Sequence, residues 1–460
     1  MTKISIRRHS QLTARLTSAA LALTLSTLSA RPARAQEPMV LTLGGAARLA
    51  AEKSAAPEAA RLRADQAAAR VRQSKAAFLP NVTGDAFEGE HTFNSASFGI
   101  NFADPTTGKF LFDPHGQVLG PVRTYDFRGT VSQNIYDPSA FARLKAARAS
   151  SSAYGDEASA QSQQAAGMAA AVYVRVLRAD AQLAARVADS TLAEDLLGIA
   201  RDQLNAGTGI ALDVTRAQSQ LAATRAQIIS ARNEKNRARL DLHRALGLPL
   251  SAPITLADSL PGLPTNGALP TEQEATDRAM RSRADLRSAD AQITAAQQQI
   301  ESIKSERMPA LSAFIDQGPT SSTTSHLVST YDWGIKLSVP VFDGFRREGR
   351  IEEQQAAVHE LGVKKRDLTE QAAIDVSGAL LDLMSAREEL AATEEHLRLA
   401  EQELSQARDR FRSGVAGNAD VITASLSLNA ARTQIVDSRA AFQSARVALA
   451  RAQGIVTELP

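Results

Sequence analysis

The sequence predicts a mainly α-helical chain with a minor β component, built from one unit repeated twice. Three observations predict it. The turn Asn205-Ala206-Gly207-Thr208-Gly209-Ile210-Ala211-Leu212-Asp213-Val214 returns as Arg412-Ser413-Gly414-Val415-Ala416-Gly417-Asn418-Ala419-Asp420-Val421. A shift of about 207 positions lays Gly207 on Gly414, Asp213 on Asp420, Leu221 on Leu428, Ile228 on Ile435, Leu242 on Leu449 and Gly247 on Gly454; self-similarity at a fixed offset marks an internal repeat. Apolar residues recur at every seventh position of the flanking Ala-rich stretches, and each half carries a segment whose apolar residues alternate.

Composition narrows the class. Aromatics are only 4% of 460 residues, too few for several packed globular cores, and most of the apolar fraction is Ala, which buries little area per residue. The absence of Cys excludes disulfides, thiolate metal sites, Cys nucleophiles and a lipoprotein anchor. Residues 1–35 read as a secretory leader: basic Lys3, Arg7 and Arg8, an apolar run from Leu16 to Leu28, and a small-x-small cleavage site at Ala33-Arg34-Ala35. Taking its six basic residues from the total of 52 leaves 46 against 50 acidic residues, a formal −4, so the apparent basicity gives no support to nucleic-acid binding. No stretch of 18 apolar residues offers a transmembrane helix, which leaves a β-barrel as the route into a membrane.

The expected elements follow in order. The first repeat occupies 36–247. Helix runs from Leu41 to Ala55 and, with Pro57 in its first turn, on to Phe78 before Pro80. Strands lie within about 81–136; in the second, Tyr125, Phe127, Val131 and Ile135 face one way and Asp126, Arg128, Thr130, Ser132 and Asn134 the other, while Phe87 and Phe93 are in phase in the weaker first strand. A helix from Ser139 to Leu204 would span roughly 100 Å. The repeated turn and a helix from Val214 to Leu246 complete the copy. Residues 248–270 hold five prolines and form a linker. The second repeat, 271–460, opens on the capping box Thr271-Glu272-Gln273-Glu274, with a helix to Met308-Pro309. Strands over about 310–343 follow, with Tyr331, Trp333, Ile335, Leu337, Val339 and Val341 on one face. A long helix to Phe411, the second turn and a helix to about Gly454 close the chain.

The seam positions Val421, Leu428, Ile435, Phe442 and Leu449, each followed at three residues by Ala or Ser, imply a left-handed antiparallel coiled coil. Lys235 breaks the matching series of the first half. Four one-faced strands cannot close a transmembrane barrel alone, so in a membrane several chains must share one, with Tyr125, Tyr136, Tyr331 and Trp333 suited to the interfacial girdles. A small soluble sheet is the competing reading. The seven histidines are scattered without ligand spacing, His359-Glu360 lacks the second His of a zinc helix, and Gly44-Gly45 is no phosphate loop. The residues thus point away from an enzyme and from any metal or other cofactor.

This layout resembles the outer-membrane efflux protein family, the TolC-like outer membrane channels. The resemblance rests on the duplicated helix–strand–strand–long helix–turn–helix order, the strand ends Val131-Ser-Gln-Asn-Ile-Tyr-Asp137 and Leu337-Ser-Val-Pro-Val-Phe-Asp-Gly344, the Gly-x5-Asp-Val turns, and the Leu246-Gly247-Leu248-Pro249 finish. It implies a homotrimer in which twelve strands close an outer-membrane β-barrel and twelve helices continue it as a periplasmic α-barrel, with the linker as an equatorial belt. It implies an exit duct of a tripartite efflux or type I secretion system in a Gram-negative bacterium, joined through a periplasmic adaptor to an inner-membrane transporter. Gly207, Gly209, Gly414 and Gly417 would shape the adaptor-docking tip. Asp420 matches an acidic pore ring, whose second position is Thr423 here. Asp213 matches the acceptor of a tip lock, but the donor positions hold Phe411 and Ala416; Arg410 or Arg412 are the substitutes at hand. Both Asp residues equally suit N-caps of the helices that follow. The alternative function is a soluble periplasmic coiled-coil adaptor or scaffold.

Overall fold

The structure, a computed structural model, describes residues 39–98, 106–107, 115–413, 415 and 417–460. The expected leader and the turn residues Gly414 and Ala416 lie outside the described residues. Along the chain run β1 (Met39–Leu41), α1 (Leu43–Lys53), α2 (Ala55–Ala76), β2 (Asn81–Asn94), β3 (Val118–Tyr136), α3 (Pro138–Asn205), α4 (Ala211–Leu246) and β4 (Ile254–Leu256). They are followed by α5 (Glu272–Ser282), α6 (Ala284–Ser305), β5 (Ala310–Ser321), β6 (Val328–Ser338), α7 (Arg346–Arg412) and α8 (Asn418–Ala452).

Two antiparallel helical hairpins, α3/α4 and α7/α8, dominate the molecule. α3 starts where Asp137 accepts the Ala140 N–H at 3.0 Å and Pro138 occupies the first turn. Its 68 residues rise about 100 Å. In the second hairpin every seam residue from Val421 to Leu449 is buried, as are the small residues between them. Facing them on α7, Leu383, Leu390, Leu404 and Phe411 are buried too. Where the seam is polar it is paired: Thr393 and Ser438 share a 2.7 Å hydrogen bond across it, and the hydroxyl that accepts it is free to donate to a carbonyl of its own helix, Leu390 for Thr393 or Ile435 for Ser438.

Four strands form one antiparallel sheet in the order β2-β3-β5-β6, so β3 and β5 join the two halves of the chain and β2 and β6 are its edges. Register places Val82, Val131, Ile315 and Trp333 in one row on one face; Thr83, Thr130, Asp316 and Asp332 form a row on the other. Phe87 pairs with Asp126 and so lies on the polar face, where its ring covers Gly89. A register shift between Asn134 and Tyr136 overrides the simple alternation that put Ile135 in phase, and sets Tyr136 opposite Leu311. β6 ends at Ser338, so Val339 and Val341 lie past the sheet.

Midway along α3 the chain ends and the linker converge. β1 pairs in parallel with β4, and Leu41 belongs to that strand rather than to the first helix. Tyr173, fully buried, bonds through its hydroxyl to the Leu41 carbonyl (2.8 Å) and to Asp258 Oδ2 (2.9 Å); burial and the neighbouring carboxylate push its ionisation up. Asp258 Oδ2 also accepts the Leu43 N–H at 2.8 Å. Gly44 packs against the Leu459 carbonyl so closely that no side chain fits there.

The helix expected from Thr271 to Met308 is instead two, α5 and α6, broken at Arg283. The break serves the same end as that between α1 and α2 at Ser54. Gly247 and Gly454, both left-handed (φ 67° and 72°), close the last helix of each half, and each presses its α-carbon onto one break: Gly247 onto Lys53-Ser54, Gly454 onto Ser282-Arg283. Arg283 holds its break through Asp285 (2.7 Å) and Asp375 (3.1 Å).

Candidate functional site

Two regions hold the residues that the sequence singled out: the two-faced sheet at one end of the hairpins and the paired turns at the other. On the sheet's apolar face Val82, Val131, Ile315, Trp333, Ile335 and Leu337 are all exposed in the single chain. Exposure of so many large apolar side chains on one continuous face marks a surface that meets lipid or protein. The face ends where Glu88 pairs with Arg123, whose guanidinium lies 5.3 Å from the Tyr125 ring centroid. The opposite face is polar, and its centre is Arg128, bonded to Asp126 (2.9 Å) and to Asp316 (2.8 Å).

The four aromatics expected in girdles do not fall on two levels. Tyr136 stands level with Leu311 and Tyr125 with Ser321, ten residues apart on β5, which is about 34 Å along the strand. Tyr331 and Trp333 stand between them, level with Gln317 and Ile315. Period-two alternation assigned the face of Tyr125, Tyr331 and Trp333 correctly, but Tyr136 reaches that face only through the register shift, and alternation carried no information on height, which depends on register.

At the tip the two turns share one closing bond. The Gly207 N–H reaches the Leu204 carbonyl and the Thr208 N–H the Gln203 carbonyl at 3.0 Å, a Schellman closure with Gly207 at φ 70°. In the second turn the Val415 N–H reaches the Arg410 carbonyl at 2.9 Å, the equivalent bond. Gly209 lies against the Gln203 backbone, where a side chain would crowd it. The N-caps are Ile210 and Gly417, and neither makes a side-chain capping bond. Asp213 and Asp420 each sit three positions into their helices, so the N-cap reading is corrected for both. They favour the helix dipole from the first turn instead.

The two Asp residues differ in surroundings. Asp213 is turned toward Arg216 (3.7 Å), and its side chain is 18% exposed. Asp420 is exposed, as is Thr423 one turn on, which donates to the Ala419 carbonyl. Phe411 is not at the surface of the tip: it is 6% exposed and packs with Leu404, Val421 and Leu428 beneath the turn. Its place in the seven-residue seam explains this. Arg412 is exposed. The sequence reading missed Asn418, which is buried and donates from Nδ2 to the Asp213 backbone carbonyl at 3.3 Å, tying one turn to the other. It also missed Asp189, a buried acid on the inward face of α3; its position seven residues before Leu196 was the available signal.

Among the described residues no group of His, Asp and Glu is placed to hold a metal ion, and no helix is long and apolar enough to cross a membrane. No curated protein matches the chain by sequence. Solved structures share its fold. It is similar to the outer membrane protein VceC from Vibrio cholerae, with 18% identity and a TM-score of 0.71, covering 90% of this chain and 96% of that one. It is similar to the open state of the MtrE outer membrane channel of Neisseria gonorrhoeae at 15% identity and a TM-score of 0.71, covering 90% and 89%. CusC, described as forming a transmembrane channel, gives 18%, 0.71, 90% and 92%. The family model for outer membrane efflux proteins matches residues 47–248 and 275–455, and the chain belongs to that family.

Proposed function

We propose that three copies of this chain form an outer-membrane exit duct, a passive channel of a tripartite efflux or type I secretion system. The observation that carries this is the sheet. Its apolar face is exposed in one chain while its edges, β2 and β6, are open, and open edges are not tolerated in lipid. Joining β6 of one copy to β2 of the next closes twelve strands and sets the apolar face outward. Tyr136 and Tyr125 then bound the band: at a tilt of about 45° their separation along the strand corresponds to about 24 Å of height, close to the roughly 25 Å apolar band of such barrels. A soluble adaptor or scaffold would leave Trp333, Ile335 and Leu337 facing water.

In this reading 1–35 is the removed leader, 36–247 and 271–460 are the repeats, and 248–270 is the equatorial linker. The turns around Gly207, Gly209, Gly414 and Gly417 form the periplasmic tip that meets an adaptor, which couples the duct to an inner-membrane pump. Asp420 supplies the exposed charge at the constriction, with the exposed Thr423 and Arg412 near it in the chain. Unboiled membrane extract should migrate as a heat-dissociable trimer; a soluble monomeric product overturns the channel. In single-channel recordings Asp420→Asn should lower cation preference and Thr423→Asp should raise it. Unchanged selectivity in both removes Asp420 from the constriction.

A further inference from the structure

Between the linker and the second hairpin lies a cavity of about 230 Å³. Residues 264–270 of the linker cross it as a strap. The opposite wall is made by Leu383 and Arg387 of α7, by Phe442 and Arg446 of α8, and by Gln453, the residue that closes α8. The strap is held at both ends. At one, the buried Gln443 donates from Nε2 to the Pro264 carbonyl at 3.1 Å. Arg446 Nη1 donates to the same carbonyl at 2.8 Å and to Gln443 Oε1 at 2.9 Å. At the other, Leu269 packs on the apolar cluster of Phe442 and Leu449. Residues 265–268 bridge the space between.

The lining is rich in donors, and no Asp or Glu is part of it. Arg446 spends Nη1 on the two bonds just described, and its Nε and Nη2 have no partner in the chain. Burial pushes the Arg446 guanidinium down from its ordinary value, and no carboxylate acts against that burial. An Arg stays charged all the same. Arg387 is exposed and forms no ion pair. The acids beside it in sequence, Glu388 and Glu389, are one and two positions on, spacings that turn a helical side chain to another face. Gln453 is only 4% exposed, yet its side-chain amide meets no hydrogen-bond partner. The N–H groups of residues 265–269 likewise donate to no acceptor in the chain. A buried amide and a half-buried cation without acceptors are costly, and a ligand that accepts hydrogen bonds relieves both.

We propose that the cavity beneath the strap binds a small soluble oxyanion, a carboxylate or a phosphate, held by the guanidiniums of Arg446 and Arg387 and by the Gln453 amide. The planar fork of a guanidinium matches two oxygens of either group. Size and position restrict the ligand further. Pockets for drug-sized molecules run to about 300–1,000 Å³, so this one takes a small head and not a bulky cargo. From Arg346 to Arg387 the helix rises about 60 Å, which sets the cavity far from the sheet. With the sheet in a membrane, lipid headgroups are out of reach; that exclusion alone rests on the channel reading. The bound anion joins the strap to α7 and α8, and so ties the linker to the second hairpin.

The test titrates full-length protein in detergent with sodium phosphate and, separately, with sodium succinate, against sodium chloride of the same ionic strength. Binding is read by calorimetry and by amide exchange across residues 265–269. Either oxyanion should bind the wild type and slow that exchange about tenfold near saturation, while chloride does neither. An effect of phosphate alone, or of succinate alone, assigns the head that the site takes. Arg387→Gln breaks no bond within the chain, so it should weaken binding about tenfold and leave the unfolding midpoint without anion unchanged. Arg446→Lys keeps the charge but loses the fork, and should weaken binding by a similar factor. Binding unaltered by Arg387→Gln, chloride that reproduces the effect, or no binding of either oxyanion at about 10 mM overturns the proposal. The Arg387→Gln result decides the matter even if Arg446→Lys unsettles the strap. None of these measurements depends on transport, so the site can fail while the channel stands, and the reverse.

Discussion

The two hairpins descend from one pattern and hold together differently. In α7/α8 the seam is apolar from Leu383 through Leu449, and its few hydroxyls are paired inside it. In α3/α4 the position equivalent to Phe442 is Lys235, whose Nζ lies 2.8 Å from Asp180 Oδ1. Arg225 bonds Glu194 at 2.8 Å farther down. α3 also divides its apolar residues near the tip: Ala193, Leu197 and Ala200 face α4, whereas Leu192 and Leu196 join the seam of the other hairpin. The second hairpin is thus a self-contained arm. The first is held partly by charge and partly by its neighbour, so relative movement at the tip is easier for α7/α8 as a body than for either of its helices alone.

The contrast can be broken at its strongest point. Phe442→Ala should open a cavity in the self-contained seam and cost about 3–5 kcal/mol, read as a fall in the thermal unfolding midpoint in detergent. The next effect is expected at the belt. Gly247→Ala combines a left-handed backbone with a Cβ that would stand 2.6 Å from the Lys53 carbonyl oxygen, and should cost about 3 kcal/mol. The equivalent Lys235→Ala in the weaker seam should cost only about 1 kcal/mol, because Lys235 and Asp180 are partly exposed. A loss for Lys235→Ala as large as for Phe442→Ala would remove the distinction between the hairpins.

The two helix breaks offer a test by pH. At Ser54 the hydroxyl donates to the Ala50 carbonyl and no charge is involved. At Arg283 burial acts to raise the Asp285 carboxyl, but the hydrogen bonds from Arg283 outweigh it and hold the group below its ordinary value. That contribution is present above the ordinary Asp range and is lost as pH falls through and below it. Arg283→Met should therefore lower the unfolding midpoint at neutral pH, with the gap to wild type shrinking on acidification. A gap independent of pH would assign Arg283 a packing role alone.

The repeated order, the strand faces and the second seam were legible in the sequence because each is a periodic property, carried by residues such as Val421 to Leu449 that repeat it many times. What was not legible depends on single contacts between distant segments. The break at Arg283 is fixed by Asp375, 92 residues away, and by the approach of Gly454. The height of Trp333 is fixed by its pairing with Ile315. Phe411 was read by its match to a donor position when its own seven-residue phase already placed it inside. At Asp213 and Asp420 the cap reading failed by three residues, because Ile210 and Gly417 carry the extended backbone of the N-cap without an acceptor side chain.

The smallest predicted effect isolates backbone conformation from space. Gly207 and Gly247 share nearly the same left-handed φ, 70° and 67°. A Cβ on Gly247 meets the Lys53 and Ser54 backbone, whereas one on Gly207 meets nothing within 4 Å. Gly207→Ala should then cost only the left-handed strain of a non-glycine residue, about 1 kcal/mol. Because the closure of α3 by Gly207 and Thr208 is local, the cost should appear as faster amide exchange at Thr208 and Gly209, with the global unfolding midpoint nearly unchanged. A fall in that midpoint as large as for Gly247→Ala would mean that the tip turn is packed against another surface in the assembled protein, and that the open space beside Gly207 is occupied there.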